Sequence, residues 1–206
     1  MYLCRKGYKG FRYQYCMKKL SIQEMNRLTP EAFHHAEKLP FVVVLDNVRS
    51  QHNVGAVFRT ADAFLLERVY LCGICCCPPN PEIHKTALGA EETVDWLHFD
   101  DTQEAVRVLR ERGYRVYAIE QAHDSITLEQ AKQDLLRIQK NTETTETNTP
   151  NGIAVIMGHE VFGVQQEVVD ACDACIEIPQ YGTKHSLNVS VTAGIVMYEL
   201  STALRQ

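Results

Sequence analysis

Three short segments of the sequence place glycines beside polar side chains that could bind or act on a ligand. The first carries Asn53, Gly55 and Arg59 after an apolar run. Asn53 is a suitable N-cap for a helix, Gly55 would let another backbone approach closely, and Arg59 would share a helix face with Gly55. Because its neighbours are apolar, we expect the Arg59 guanidinium to be partly desolvated. The alternative is a structural arginine paired with Asp62 or Asp46.

The second segment places the carboxylate of Glu160 between Gly158 and Gly163, where another apolar run ends. Parallel sheets meet their ligands beyond the carboxyl ends of the strands, and a polar group held between glycines suits that position. The alternative is an ordinary strand-to-helix turn, which is favoured for this segment taken alone.

The third segment runs from Ile178 to Ser190 and leads from an apolar run through a glycine-containing loop into a helix. The helix would be entered through Ser186 or Asn188. Exposed backbone amides at its start would favour an anionic or carboxylate group. The alternative is a well-capped helix without a ligand.

The elements that must position these segments alternate between strands and helices. Apolar runs and helical periodicity predict strands over 41–46, 68–74, 114–120, 152–158 and 174–179, and helices over 53–64, 101–112, 127–139 and 188–204. This alternation predicts an α/β fold, with a parallel sheet and helices on both faces. All three segments would then lie at the carboxyl edge of the sheet, where ligands bind.

Together the segments contain N-x-G-x-x-x-R, G-x-E-x-x-G and I-P-…-S-L-N-V-S in that order. This triple pattern resembles the motifs of the SPOUT superfamily, in its SpoU/TrmH-type branch of RNA ribose 2'-O-methyltransferases. The resemblance covers roughly residues 40–204. It implies a methyltransferase that uses S-adenosylmethionine, releases S-adenosylhomocysteine and acts on tRNA or rRNA. It also implies a C-terminal trefoil knot around the cofactor and a homodimer with active sites at its interface.

The resemblance further implies roles for individual residues. Arg59 would be the catalytic arginine, and we favour it as a cation that stabilises the ribose alkoxide, since a guanidinium pKa above about 12 makes a poor base. Asn53 would support the site, Glu160 would position the substrate or Arg59, and Ser186 and Asn188 would shape the substrate and cofactor loops. The cofactor-binding residues would be Ile119, Gly158, Ile178, Ser186 and Leu187.

Some residues depart from the family pattern. Gln180 stands where methionine is common, Thr192 where alanine is common, and Val161 with Phe162 is bulkier than the frequent glycine-containing pair. These differences affect details of the pocket more than the reaction.

Two other functions compete with this interpretation. A non-catalytic RNA-binding module would keep the knotted scaffold, but the retained Arg59, Glu160 and Asn188 argue against it. A nucleotide-dependent oxidoreductase would need G-x-G-x-x-G after the first strand, and residues 47–59 lack that pattern.

Outside the three segments, residues 1–39 are predicted to form an N-terminal appendage and 40–206 the methyltransferase domain. Within 1–20, interleaved basic and aromatic residues fit an RNA-binding arm, but a disordered tail over 1–16 or a natural start at Met17 is favoured over that arm. The polar stretch 140–152 is predicted to be a flexible loop, since it has little apolar area to bury.

The appendage is also predicted to contain helix. Ser21 and Glu24 have the spacing of a capping box, which predicts a helical stretch over 21–38. Pro30 should divide this stretch into two short helices.

The composition is that of a globular chain: 45% of the 206 residues are hydrophobic and 23% are charged. No apolar run reaches the roughly 18 residues of a membrane helix, and no secretory signal is recognisable, so we expect a cytoplasmic protein with reduced cysteines. The Cys-x-x-Cys pairs Cys72/Cys75 and Cys172/Cys175 lie far apart in sequence. Cysteine as a small buried hydrophobe is favoured over a zinc site, and no metal is expected.

The formal net charge of −5 argues against tight nonspecific binding of nucleic acid. An RNA would have to be held by local cations, and Arg49, Lys85 and Lys184 would form a modest phosphate patch if their loops converge. Solvated surface charge is the alternative. His159 and His185 lie within the motifs and could touch substrate or be ordinary loop histidines.

Overall fold

The computed structural model of the chain describes residues 17–141 and 150–206. The described residues fall into two compact units, of which the first ends at His35 and the second is Ala36–Gln206. The expectations for residues 1–16, and for 142–149 of the predicted loop, concern parts of the chain outside the described residues.

The first unit contains a short 3-10 turn, Gln23–Met25, and helix α1, Pro30–His35. The capping-box contacts form, because Glu24 Oε2 accepts hydrogen bonds from the Ser21 amide and hydroxyl, both at 2.7 Å. They cap only a single turn rather than a longer helix. Pro30 is the first residue of α1, a position that needs no backbone donor.

The second unit is built around seven strands: β1 Leu39–Asp46, β2 Leu66–Cys72, β3 Asp95–Phe99, β4 Tyr114–Ile119, β5 Ile126–Thr127, β6 Gly152–Met157 and β7 Ala174–Glu177. Its helices are α2 Gln51–Ala63, α3 Pro81–Ala87, α4 Ala90–Thr93, α5 Thr102–Glu111, α6 Leu128–Asn141, α7 Gln166–Ala171 and α8 Val189–Leu204. None of these described helices combines the length and the apolar character that a bilayer crossing requires.

All strand pairings in the sheet are parallel, in the order β3-β2-β1-β6-β4-β7-β5. Strand β6 therefore lies between β1 and β4. Met157 at the end of β6 is in register with Leu45 and with Ile119, and Ile119 is in register with Ile176 of β7. The carboxyl ends of β1, β6, β4 and β7 thus meet at one edge, and the predicted parallel α/β fold is confirmed.

Helices cover both faces of the sheet, as predicted. On one face, Val42 and Val44 belong to a buried cluster with Val106 of α5 and Val168 of α7. On the other face α8 packs against β1 and against α2 and α6. Strand β1 is buried from Phe41 to Asp46, which explains its continuous apolar sequence.

Several elements differ from the prediction. Strand β3 and the short elements α3, α4, β5 and α7 were not predicted. Strand β3 has no buried side chain and β5 has only two residues, so neither leaves a clear apolar pattern. The predicted loop over 140–152 is too long at both ends, because α6 continues to Asn141 and β6 begins at Gly152.

Candidate active site

A cavity of about 520 Å³ lies at the carboxyl ends of β4, β6 and β7. Its walls are the loops that follow these strands and the first residues of α8. Every residue predicted to bind the cofactor lines it, namely Ile119, Gly158, Ile178, Ser186 and Leu187. Glu160 and Asn188 line it too, and its volume is in the range of about 300–1,000 Å³ that is usual for ligand sites.

A chain of side-chain hydrogen bonds joins the three motifs. Glu160 Oε1 accepts a bond from Asn53 Nδ2 at 3.1 Å, and Asn53 Oδ1 accepts one from Asn188 Nδ2 at 3.1 Å. Glu160 also accepts bonds from the backbone amides of Ser50, at 2.9 Å, and Arg49, at 3.1 Å. Residues that are 107 and 135 positions apart in sequence are therefore held in direct contact.

These contacts determine the charge of Glu160. Partial burial acts to raise the pKa of its carboxyl group, but the hydrogen bonds from Arg49, Ser50 and Asn53 outweigh this and the pKa is lowered. Donors that bond a carboxylate favour its ionised form. Glu160 is consequently a carboxylate, and a weak base, at neutral pH.

The helices that carry the two asparagines begin at well-formed caps. Ser50 is the N-cap of α2 and accepts a bond from the Asn53 amide at 3.3 Å, so the prediction of Asn53 as N-cap is wrong by three residues. Asn188 is the N-cap of α8, and its Oδ1 accepts bonds from the amides of Ser190 at 2.9 Å and Val191 at 3.3 Å. Capping with Oδ1 leaves the Asn188 amide group to contact Asn53.

Glycines permit the close backbone contacts around the site. A Cβ at Gly158 would lie 2.1 Å from the backbone of Gly163, and a Cβ at Gly55 would lie 2.2 Å from the Ile83 carbonyl oxygen. Gly163 has a φ of +69°, a conformation that favours glycine. His159 and Gly163 exchange backbone hydrogen bonds of 3.0 and 2.9 Å, which close the turn that presents Glu160.

The comparisons with known proteins agree with this geometry. A family model described as the SpoU rRNA Methylase family matches residues 40–198. The chain belongs to this family.

Relatives within the SpoU family act on two kinds of RNA. The chain is 27% identical to the 23S rRNA (guanosine-2'-O-)-methyltransferase RlmB of Neisseria meningitidis, over 93% of this chain and 70% of the relative. It is 31% identical to the tRNA (guanosine(18)-2'-O)-methyltransferase of Thermus thermophilus, over 76% and 72%. It spans about three fifths of the length of several other RlmB proteins.

The fold is similar to that of solved SpoU-family structures. The crystal structure of the Aquifex aeolicus enzyme, described as a TrmH/SpoU tRNA modifying enzyme, superposes with a TM-score of 0.67 at 25% identity. The match covers 85% of this chain and 80% of that one.

Arg59, the remaining motif residue, lies apart from this cavity. Its side chain is exposed, does not line the cavity and has no hydrogen-bond or ion-pair partner among the described residues. Arg59 follows Asn53 by six residues of α2. It therefore points to a different side of the helix from the one on which Asn53 contacts Glu160. The expected desolvation of Arg59 within the chain is therefore wrong, as is its pairing with Asp62 or Asp46; Asp46 instead accepts a bond from Thr102 Oγ1 at 2.7 Å.

The predicted phosphate patch is not a single cluster of free cations. Lys85 Nζ is 2.5 Å from Glu82 Oε1 on the same helix, α3. Arg49 and Lys184 are exposed. The backbone amide of Arg49 donates a hydrogen bond to Glu160 Oε2, and Lys184 lies in the loop before His185.

Two histidines and an aromatic residue border the cavity. His159 and His185 both line it. The rings of His159 and Phe162 lie 4.9 Å apart between centroids, and Phe162 is 83% exposed. Tyr181, four residues before His185 in sequence, is 95% exposed.

Glu120 also lines the cavity, although it was not singled out from the sequence. It follows β4 directly, so its position at a strand's carboxyl end was the signal that could have found it. Its Oε2 accepts a bond from the Val164 amide at 3.1 Å, and its Oε1 accepts one from the Gln121 amide at 2.8 Å.

Among the described cysteines, Cys72 and Cys75 are buried, and the other four, Cys76, Cys77, Cys172 and Cys175, are partly buried. No described cysteine belongs to a group of side chains that could share a metal ion. Cys75 Sγ donates to the Leu45 carbonyl at 3.2 Å, and burial raises the pKa of this thiol to about 12. The described residues contain one group whose donor atoms could share an ion, His84, Glu91 and Glu92, and none of these lines the cavity. His84 Nδ1 is already 2.5 Å from Glu91 Oε1.

Proposed function

We propose that this chain transfers a methyl group from S-adenosylmethionine to a ribose 2'-hydroxyl of tRNA or rRNA. The observation that carries the proposal is the hydrogen-bonded series Glu160–Asn53–Asn188, which brings the family motifs to the rim of one cavity. The relatives named above methylate the 2'-oxygen of guanosine in 23S rRNA and in tRNA. The alternative, a non-catalytic RNA-binding module, does not require this arrangement of polar groups beside the cavity.

The cavity residues fit S-adenosylmethionine. Apolar side chains, among them Ile119, Met157 and Ile178, offer a surface for an adenine ring, and the close turn at Gly158 brings backbone groups to the wall. The cofactor would be held by Ile119, Gly158, Ile178, Ser186 and Leu187. It supplies a methyl group already activated by a sulfonium, so the proposed reaction uses no metal.

We further propose that Arg59 acts in the cavity of a second copy of the chain. Arg59 is exposed and without a described partner, while its own cavity lacks an arginine among the described lining residues. Helix α8 presents an apolar stripe with helical spacing, in which Val191 is 52%, Ile195 37% and Tyr198 55% exposed. Covering this stripe with a second copy would form a homodimer, in which we place Arg59 of one copy at the cavity of the other.

In this arrangement each residue has a defined task. The Arg59 guanidinium stabilises the negative charge that develops on the ribose oxygen as its proton leaves and its bond to the methyl carbon forms. Glu160 holds the start of α2, and its lowered pKa makes it a poorer proton acceptor than an ordinary glutamate. Water or a phosphate oxygen is therefore favoured as the acceptor of the proton.

The rim of the cavity suits an unpaired nucleotide. Phe162 offers an exposed ring on which a base could stack, and Arg49 and Lys184 could meet phosphates. Local contacts of this kind would be needed because the net charge of −5 repels RNA.

Two further properties are proposed from family membership. The first is the C-terminal trefoil knot, with the cofactor bound in its loops. The second is a cytoplasmic location, where tRNA and rRNA would be met.

The test is methyl transfer from labelled S-adenosylmethionine to unmodified tRNA and rRNA, with the products identified by nucleoside mass spectrometry. We expect a 2'-O-methylated nucleoside whose formation falls at least a hundred-fold in Arg59→Ala, since loss of one oxyanion donor costs about that much. Arg107→Ala, an exposed arginine on α5, is the matched control and should be as active as the wild type. RNA binding without turnover by the wild type would favour the non-catalytic module.

A further inference from the structure

The cavity has an uneven balance of charge. The described residues that line it include two carboxylates, Glu120 and Glu160, and neither lysine nor arginine. Its remaining titratable side chains are the imidazoles of His159 and His185. A ligand in the cavity therefore meets more negative than positive charge.

The negative charge of Glu160 is largely compensated by contacts within the chain. Its carboxylate accepts bonds from Arg49, Ser50 and Asn53, all within 3.1 Å. It also lies at the N-terminus of α2, a helix of 13 residues whose dipole favours negative charge there.

Glu120 is less compensated, because it has two donors instead of three. It accepts bonds from two neutral backbone amides, those of Val164 and Gln121, and forms no ion pair among the described residues. A Cβ at Gly163 would lie 2.1 Å from Glu120 Oε2, so the carboxylate is held tightly against the turn that forms one wall. Each carboxylate oxygen has a further lone pair beyond the one already used.

We propose that Glu120 makes the cavity prefer the positively charged S-adenosylmethionine over the product S-adenosylhomocysteine. This inference rests on the proposed function and deepens it. The two molecules differ by the methyl group and by the sulfonium charge that is lost when the methyl leaves. A fixed carboxylate in a partly desolvated cavity attracts that charge and has no equivalent attraction for the neutral thioether. Transfer of the methyl group thereby weakens the hold on the product and favours its release.

The experiment compares dissociation constants by isothermal titration calorimetry on the full chain. The probes are S-adenosylmethionine, S-adenosylhomocysteine, and sinefungin, which carries an amine in place of the sulfonium. In Glu120→Gln the preference for S-adenosylmethionine over S-adenosylhomocysteine should fall roughly ten-fold. The preference for sinefungin over S-adenosylhomocysteine should fall by about the same factor. Glu120→Asp keeps the charge and should retain most of the preference.

Glu177→Gln is the matched control, because Glu177 ends the neighbouring strand β7 and does not line the cavity. It should leave all three dissociation constants unchanged. Equal weakening of the three probes in Glu120→Gln would overturn the inference, since it would mean that Glu120 only shapes the cavity wall. Failure of the wild type to bind any probe would contradict the proposed function itself. That outcome is therefore distinguishable from failure of the inference about Glu120 alone.

Discussion

Glu160 shows how one side chain joins distant parts of the chain. Its carboxylate accepts three hydrogen bonds from the start of α2, more than 100 residues away in sequence. Its position between two glycines at the end of a strand made its place at the cavity predictable. Its partners were not predictable, because they depend on which strand ends become neighbours.

Replacing Glu160 by glutamine should destabilise the fold by about 1–3 kcal/mol, because the new amide group would face backbone donors that need an acceptor. The lowered pKa means that the wild-type carboxylate contributes stability above the ordinary glutamate pKa of 4.5. This contribution is lost as the pH falls through the folded-state pKa, so the difference between the two proteins should shrink below about pH 4.5. Urea unfolding between pH 3 and 7 would measure it.

The exposed Glu111, on α5, provides the control for this measurement. Glu111→Gln removes a surface ion pair with Arg107 and should change the free energy of unfolding by well under 1 kcal/mol. A similar loss in both variants would argue against a special role for the Glu160 contacts.

Phe162 is the residue at which substrate recognition can be tested most directly. If its exposed ring stacks on a base of the RNA, Phe162→Ala should raise KM for RNA about ten-fold and leave the affinity for S-adenosylmethionine unchanged. Val161→Ala alters the adjacent exposed apolar residue without removing a ring, and its KM should be close to that of the wild type. An unchanged KM together with a dissociated dimer in Phe162→Ala would instead mean that a second copy covers the ring.

At the scale of elements, burial decided what could be predicted. Strands β1, β4 and β6 are almost wholly buried, and they are recognisable in the sequence as continuous apolar runs. Strand β3 lies at the edge of the sheet with half-exposed side chains, so its sequence DWLHF carries no such pattern. The start of α2 was misjudged because Ser50 and Asn53 are both good N-cap residues, and only the structure distinguishes them.

The first turn of α8 should couple stability to catalysis through its cap. Asn188→Ala removes the N-cap, at a cost of about 1 kcal/mol, and also the contact with Asn53. We expect turnover to fall at least ten-fold. Thermal unfolding and methyl-transfer rates would measure the two effects separately.

Asp101→Ala is the matched control for the loss of a cap. Asp101 is the N-cap of α5, where it accepts a bond from the Gln103 amide at 3.0 Å, away from the cavity. The Asp101→Ala variant should lose about as much stability as Asn188→Ala does, but its turnover should stay unchanged. Equal losses of turnover in the two variants would mean that Asn188 acts only by stabilising its helix.

At the scale of the whole molecule, the position of Arg59 is the feature that sequence could not supply. Its motif identifies it, but a helix surface that points away from the chain's own cavity becomes apparent only once the elements are packed. The strand order has the same character, since β6 enters between strands that precede it along the chain.

A complementation assay tests whether Arg59 serves a second copy. Arg59→Ala and Asn188→Ala, each defective alone, should recover up to about a quarter of wild-type activity when mixed, because half of the dimers would be mixed and carry one intact site. No recovery after confirmed exchange of subunits would mean that Arg59 serves its own chain.

The proposed dimer can be tested at the apolar stripe of α8. Ile195→Glu should shift the sedimentation coefficient to that of a monomer and abolish methyl transfer. Leu97→Glu changes an exposed apolar residue on the edge strand β3 and should affect neither. A wild-type protein that sediments as a monomer at assay concentrations would contradict the shared site.

The insertion of β6 has a consequence for how the protein is made. Residues 39–119 supply both strands that flank β6, yet β6 itself begins only at Gly152. A growing chain therefore carries β1 and β4 with unpaired edges until the central strand has emerged from the ribosome. Fragments that end before residue 152 should be prone to aggregation. Closure of the sheet should be a slow and late step of folding, because it depends on long-range strand pairings.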